Sequence, residues 1–396
     1  MDIEQIVNKL FGPGLLTVNG NVHQRQRKIM NPIFSAAQIR PFAPVFEGCA
    51  QTVITKWKSE IEGGATIIDC YRPLNGMTLD ALGEAMFEYK FDSTGKTRAN
   101  GLRDVMRELL PIIDLISLRK TKEDKRFANW LSESQKVTER LINQKVESGG
   151  GQEKDKDILS VIARSLAAED PSKRLVPVEA LSQMALNWLL YELSYNPEWQ
   201  DRLVQEIQDI RHQTGTDGPL TVKDLEGMRV LNATIKETLR FYPIVPELFR
   251  ESDSDDIIPL ECPITDISGS VLREIPVIKG QRVVLNIFKY NRLKTVWGED
   301  ADVWNPERFL ESNRPTTLGV FANLMTFSGG IRACIGWRFA LLELQVIAVA
   351  LVESFEFSAV DGIEIEHVRV GTNPPMVKGR WKAGPQLPLK VALRSA

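Results

Sequence analysis

The segment Phe327–Phe339, FSGGIRACIGWRF, constrains this chain more than any other stretch. It sets a cysteine in a glycine-bearing loop directly ahead of a strongly apolar run, ALLELQVIAVALV, which reads as a helix. Gly329 and Gly330 permit turns at backbone angles that other residues avoid. Gly336 lets the start of the helix lie very close to a flat ligand. Cys334 then stands near a helix N-terminus, where unpaired N–H groups and the helix dipole stabilise a thiolate. Arg332 adds a nearby positive charge. A thiolate held in this way can ligate iron and push electron density onto it, which favours O–O bond cleavage.

The other cysteines, Cys49, Cys70 and Cys262, are far apart and form no C-x-x-C pair, which argues against a structural zinc site. They read as structural residues, and four scattered cysteines in 396 residues do not make a secreted disulfide scaffold. A reducing, intracellular setting is expected. A formal net charge of −3 argues against nucleic acid as the main partner. The segment Met1–Leu10 lacks the apolar stretch of a signal peptide, and the longest apolar run, Val346–Val352, is far short of the ~20 residues of a membrane helix. The chain reads as soluble.

Apolar residues at spacings of three and four predict helices over Gln24–Met30, Ala37–Glu62, Leu79–Phe87, Gly101–Ile113, Asp124–Val146, Asp157–Ala168, Val178–Tyr195, Pro197–His212 and Lys223–Phe241. Residues 147–156, ESGGGQEKDK, read as an exposed loop. Pro243 and Pro246 end the last of these helices. From Ile257 to Ile287 short alternating runs predict strands, with VVLNIF (Val283–Phe288) the clearest. From Ile363 onward the chain reads as hairpins. The fold class expected is mainly α with small β-sheets (α+β), in a single domain over residues 1–396.

In TIKETLRFYP, Glu237 and Arg240 share a helix face, which by itself is an ordinary surface pair. Arg308 lies in WNPERF, Trp304–Phe309. In HQRQRK, His23 and Arg27 are four apart and share a face, which also fits a plain basic helix surface. Phe327, Gly330, Arg332, Cys334 and Gly336 fill the pattern F-x-x-G-x-R-x-C-x-G, the haem-binding signature of the cytochrome P-450 family, which the chain resembles from about His23 to its end. In style it is closest to fungal members associated with secondary metabolism and detoxification.

The resemblance implies a haem-thiolate monooxygenase of P-450-like fold. Haem b would be its cofactor, held by Cys334 within the frame of Arg332, Phe327, Gly330 and Gly336, with no metal other than the haem iron. His23 and Arg27 would bind one propionate and Arg250, just past the Pro243–Pro246 turn, the other. Glu237, Arg240 and Arg308 would form a buried structural network. The partners implied are O₂, a small apolar substrate that Ile244 and Val245 would face, and an NADPH-cytochrome P-450 reductase docking near Arg332. The family usually sits on the endoplasmic-reticulum membrane. This chain reads as lacking an anchor and departs from the pattern twice. It begins almost at the helix of His23, so the fold is expected to be incomplete at its N-terminus. The central helix has lost its A/G-G-x-x-T segment, and Val178–Tyr195 contains no threonine, so the catalytic proton-delivery residue is unknown. A haem- or ligand-binding protein without oxygenase activity, and a truncated or splice product that does not function, are the alternative readings.

Overall fold

The computed structural model describes residues 14–91, 179–215, 218–310, 318–368 and 372–394. Before Phe241 the described chain is mostly helical. Helix α1 spans Gly20–Met30 and α2 spans Ala43–Glu62. The single helix expected over Ala37–Glu62 is broken, because Pro41 and Pro44 cannot supply backbone N–H groups to a continuous ladder. A short helix, Ala36–Ile39, and a 3₁₀ turn, Arg40–Phe42, precede α2 instead. Strand β1, Ile67–Asp69, leads into α3, Tyr71–Phe87. Helix α3 starts well before the expected Leu79, with Pro73 in its first turn, where a missing N–H costs nothing.

Helices α4, Glu179–Tyr195, and α5, Pro197–Thr214, follow the expected bounds closely. The stretch expected as one helix from Lys223 divides into α6, Val222–Gly227, and α7, Arg229–Phe241. Met228 is extended between them, and Thr221 with Asp224 forms a capping box that starts α6. Next come β2 (Glu247–Glu251), β3 (Asp256–Thr265), β4 (Val271–Val277) and β5 (Arg282–Asn286). The expected strand VVLNIF stops at Asn286, whose side chain accepts from the Lys289 N–H at 2.8 Å and caps the short helix α8, Ile287–Tyr290. Helix α9 is Trp337–Ser354, and β6 (Phe355–Ser358), β7 (Ile365–His367), β8 (Pro375–Val377) and β9 (Pro388–Leu393) complete the order. Among the described residues all pairing is antiparallel: β9 joins β1 to β6, and β2 with β5, β3 with β4 and β7 with β8 form two-stranded ribbons. The readings over residues 101–113, 124–146, 147–156 and 157–168 lie outside the described residues.

From Phe339 to Val352 helix α9 is largely apolar and almost wholly buried, with α2, α4, α5 and α7 around it. Phe46 of α2 meets Phe339 edge-on at 5.0 Å. Leu344, Ile347, Leu351 and Val352 are sealed from solvent, each worth roughly 1.5–3 kcal/mol of burial. This packing fixes the start of α9, and with it the loop that carries Cys334. Among the described residues no helix is long and apolar enough to cross a membrane.

One fully buried acid breaks the apolar character of α9. Glu343 is fully buried, and burial pushes its carboxyl up to about 8, against a hydrogen bond with Ser182 that pulls it down. An acid whose pKa rises on folding takes up a proton between its unfolded and folded values. Stability therefore falls as pH climbs from about 4.5 to about 8. Glu192, pushed up to about 7 by burial, adds a slope of the same sign. The Glu343→Gln variant is expected to flatten part of the decline, by up to about 1.4 kcal/mol per pH unit, and to be the more stable protein at pH 8.5. Urea midpoints measured from pH 5.5 to 8.5 check this. Parallel curves for the two proteins would contradict it.

Candidate active site

The cysteine loop is built from its own backbone. The Cys334 N–H donates to the Phe327 carbonyl at 2.8 Å, and the Ala333 N–H donates to Gly330 at 3.1 Å. Gly330 has φ +65°, a region glycine enters freely. Gly329, expected to share that role, is extended at φ −145°, and Ser328 takes the second left-handed position at φ +59°. Gly336 is the residue before the first turn of α9. Burial pushes the half-buried Cys334 thiol up, while a bond from the Gly336 N–H and the charge of Arg27 pull it down. The cation acting on the thiol is thus Arg27, not the neighbouring Arg332 expected for that task. Arg332 is held by the Leu15 carbonyl at 3.2 Å, the Val18 carbonyl at 2.6 Å and the Asn19 side chain.

Arg27 donates to the Ala333 carbonyl at 2.6 Å, which ties α1 to the residue beside the cysteine. His23, on the same face, is 2% exposed, and burial with the charges of Arg332 and Arg27 lowers its pKa. Burial and the charges of Arg250 and Arg27 likewise lower that of Arg332. His23, Arg27, Arg250 and Arg332 therefore share one electrostatic neighbourhood. Arg250, exposed on β2, donates to the Phe249 carbonyl at 2.8 Å. Among the described residues no ion pair joins Arg27, Arg250 or Arg332 to an acid. A cluster of cations bonded to neutral oxygens repels itself and lacks anions. The two carboxylates of a haem would supply them, so the residues present fit that group.

The third set of predicted residues also comes together. Glu237 and Arg240 are both completely buried on α7. Arg240 uses every N–H it has. Two bonds of 2.7 Å grip the Glu237 carboxylate, and others reach the carbonyls of Asn291 (2.6 Å), Ala301 (2.7 Å) and Val303 (3.0 Å). Arg308 stands 3.4 Å from Glu237 and forks onto Asp300 at 2.8 and 2.9 Å. Its guanidinium holds the Asp300 carboxyl below the usual range. Asp300 was not among the expected members, although it sits in the same run as Arg308, WGEDADVWNPERF.

Asn291, equally unforeseen, joins the network to the cysteine loop. Its carbonyl receives Arg240, its amide donates to Thr326 Oγ1 at 2.9 Å, and its Oδ1 accepts the Met325 N–H at 3.3 Å. Thr326 in turn donates to the Leu239 carbonyl at 2.6 Å. Ile244, expected to face substrate, is buried and lines a cavity of about 10 Å³ with Ser182, Leu239, Thr326, Phe327 and Leu344.

Residues 3–175 and 179–375 match the family described as Cytochrome P450. The chain belongs to the cytochrome P450 family. A cytochrome P450 monooxygenase of Postia placenta (number 205) is 34% identical over 431 residues, covering 97% of this chain and 78% of that protein. The ganoderic acid synthetase of Ganoderma lucidum is 30% identical, with 96% and 79% covered. Cytochrome P450 monooxygenase claQ of Ampulloclitocybe clavipes is also 30% identical, with 97% and 78% covered. This P450 is accordingly an oxidoreductase whose cofactor is haem iron. The first alignment is longer than the 396-residue chain, so the relative carries residues inside the match that this P450 lacks. The family match breaks at 175–179, immediately before α4.

Proposed function

We propose that this P450 inserts one oxygen atom of O₂ into an apolar organic substrate, with Cys334 as the thiolate ligand of its haem iron. The observation that carries the reading is the cysteine loop itself, a thiol placed against the Gly336 N–H and Arg27 at the head of a buried helix. When bound, the haem supplies O₂ activation and oxygen transfer. Arg27, Arg332 and Arg250, with His23, bind and orient its carboxylates, and Phe327, Gly330 and Gly336 shape the loop beneath it. Glu237, Arg240 and Arg308 hold that loop in place through Asn291. Electrons come from NADPH through a separate reductase docking near Arg332. A relative named for ganoderic acid synthesis supports a role in secondary metabolism.

Proton delivery sets the efficiency. Positioned proton donors accelerate oxygen chemistry by orders of magnitude, and Val178–Tyr195 holds no threonine. With a fungal NADPH reductase and a panel of terpenoid and aromatic substrates, NADPH consumption is expected to outrun product, with hydrogen peroxide as the balance. Product and peroxide are both counted against NADPH. One product per NADPH would contradict the expectation. Haem uptake with no product, even when peroxide replaces the reductase, would favour a haem-binding protein without oxygenase activity.

A further inference from the structure

An aromatic chain leads to the surface from two rings, Trp188 and Tyr242, whose chain neighbours Ala185 and Ile244 line the cavity against Phe327 of the cysteine loop. Trp188 of α4 stacks on Tyr242 with ring centres 4.1 Å apart and planes 2° from parallel. Tyr242 directly precedes the Pro243–Ile244 turn, and Ile244 lines the cavity against Phe327. Tyr191 meets Trp188 at 5.4 Å and Tyr242 at 6.4 Å, both edge-on, and Tyr195 lies 4.8 Å beyond Tyr191. Trp188 is 1% exposed and Tyr242 4%, whereas Tyr195 is 49% exposed. The rings thus run from a sealed end to an open one.

The sealed end also has a proton acceptor. The Tyr242 hydroxyl donates to Glu192 Oε1 at 2.5 Å, and Asn196 holds the other carboxylate oxygen at 3.1 Å. Stacking alone explains neither a buried carboxylate nor its place on a phenol. A tyrosine ring gives up an electron readily only if its proton leaves at the same time, so an acceptor on the hydroxyl is what such a step needs. Burial lifts Glu192 to about 7, which leaves it partly ionised at neutrality and able to take the proton and return it.

We propose that Trp188, Tyr242, Tyr191 and Tyr195 form an electron-transfer path that carries oxidising equivalents from the haem pocket to solvent, with Glu192 as the proton acceptor of Tyr242. The oxidant is hydrogen peroxide reaching the pocket, so the source of the oxidation rests on the haem-thiolate reading, whereas the path belongs to the protein alone. Trp188 loses an electron to the oxidant. Tyr242 returns one to Trp188 and passes its phenolic proton to Glu192. Tyr195 then supplies an electron inward through Tyr191 and releases its own proton to water, and Tyr242 recovers its proton from Glu192. A small thiol or ascorbate in solution reduces Tyr195. Two such passages, with two protons, reduce one peroxide to two waters. In a protein that makes peroxide instead of product, this path spares the haem and the cysteine loop.

The test has two arms. Haem-loaded protein is mixed with hydrogen peroxide and a nitroso spin trap, and the adducts are located by peptide mass spectrometry. The expected adduct lies on Tyr195, falls several-fold in Tyr191→Phe, and is absent when peroxide is added to haem-free protein. An unchanged Tyr195 adduct in Tyr191→Phe, or adducts on Trp381 (53% exposed) in place of Tyr195, would overturn the path. The second arm needs no haem. Photogenerated tris(bipyridine)ruthenium(III) oxidises exposed tyrosine, and the phenoxyl absorbance that Tyr195→Phe removes is followed in time. That component is expected to decay several-fold more slowly in the parent protein than in Tyr191→Phe, because hops between tyrosines run both ways and, with no reductant in solution to draw the hole outward, the buried rings share it. Equal decays would overturn the proposal. A chain that takes up no haem contradicts the reading of the site, and the second arm still decides the path.

Discussion

Arg240→Ala is expected to leave a chain that neither holds haem nor unfolds cooperatively at its normal urea midpoint. The substitution removes the cation bound twice to Glu237 and leaves that carboxylate in a fully buried position. Removing one partner of a buried ion pair costs about 3–5 kcal/mol, because the other charge stays behind. Three carbonyls, those of Asn291, Ala301 and Val303, lose their donor as well. Domains have only about 5–15 kcal/mol in total, so most of it is consumed. Lysine does not rescue, since one ammonium cannot reproduce a planar fork that binds five oxygens. The damage reaches the cysteine loop through Asn291, which holds both Thr326 and Met325. Urea denaturation followed by tryptophan emission, together with haem retention on gel filtration, measures the effect. A midpoint within experimental scatter of the parent would show that the network is ornamental.

Cys334→His is expected to keep the fold and exchange the axial ligand. The Cys334 side chain is small and half-buried, and its loop is fixed by backbone bonds that the substitution leaves alone. A thiolate pushes electron density toward the iron and an imidazole does not. The variant should therefore take up haem, lose the long-wavelength carbon-monoxide band, and lose product formation entirely. Retained oxygenation in Cys334→His would show that the thiolate is not what makes this haem reactive.

The cysteine frame was legible because every part of it is local. Phe327, Gly330 and Gly336 act on Cys334 through a few bonds of the same loop, and sequence spacing records such relations well. The helices around Pro41 and Met228 were misjudged at their boundaries, since apolar periodicity runs through a break that only backbone donors and caps define. Glu237 and Arg240 were readable as a pair on a helix face. Their burial came only from the family resemblance and not from spacing, because it depends on α7 packing under segments that arrive more than fifty residues later, at Asn291 and Ala301. The same distance hid Asp300 and Asn291, whose partners are chosen by tertiary geometry and not by spacing. Arg332 looked like the natural companion of Cys334 because it is two residues away, yet its side chain is drawn off to carbonyls near Val18, and Arg27 from α1 acts on the thiol instead. The aromatic chain from Trp188 to Tyr195 left no motif at all, although Tyr191 and Tyr195 are one helical turn apart.

The measurement that bears most directly on the central claim is the carbon-monoxide difference spectrum of the reduced, haem-supplied protein. A Soret band at the family's long wavelength, absent in Cys334→Ala, is the predicted result and identifies Cys334 as the iron's thiolate. A band at the shorter wavelength of a nitrogen-ligated haem, or a long-wavelength band that survives in Cys334→Ala, would contradict it.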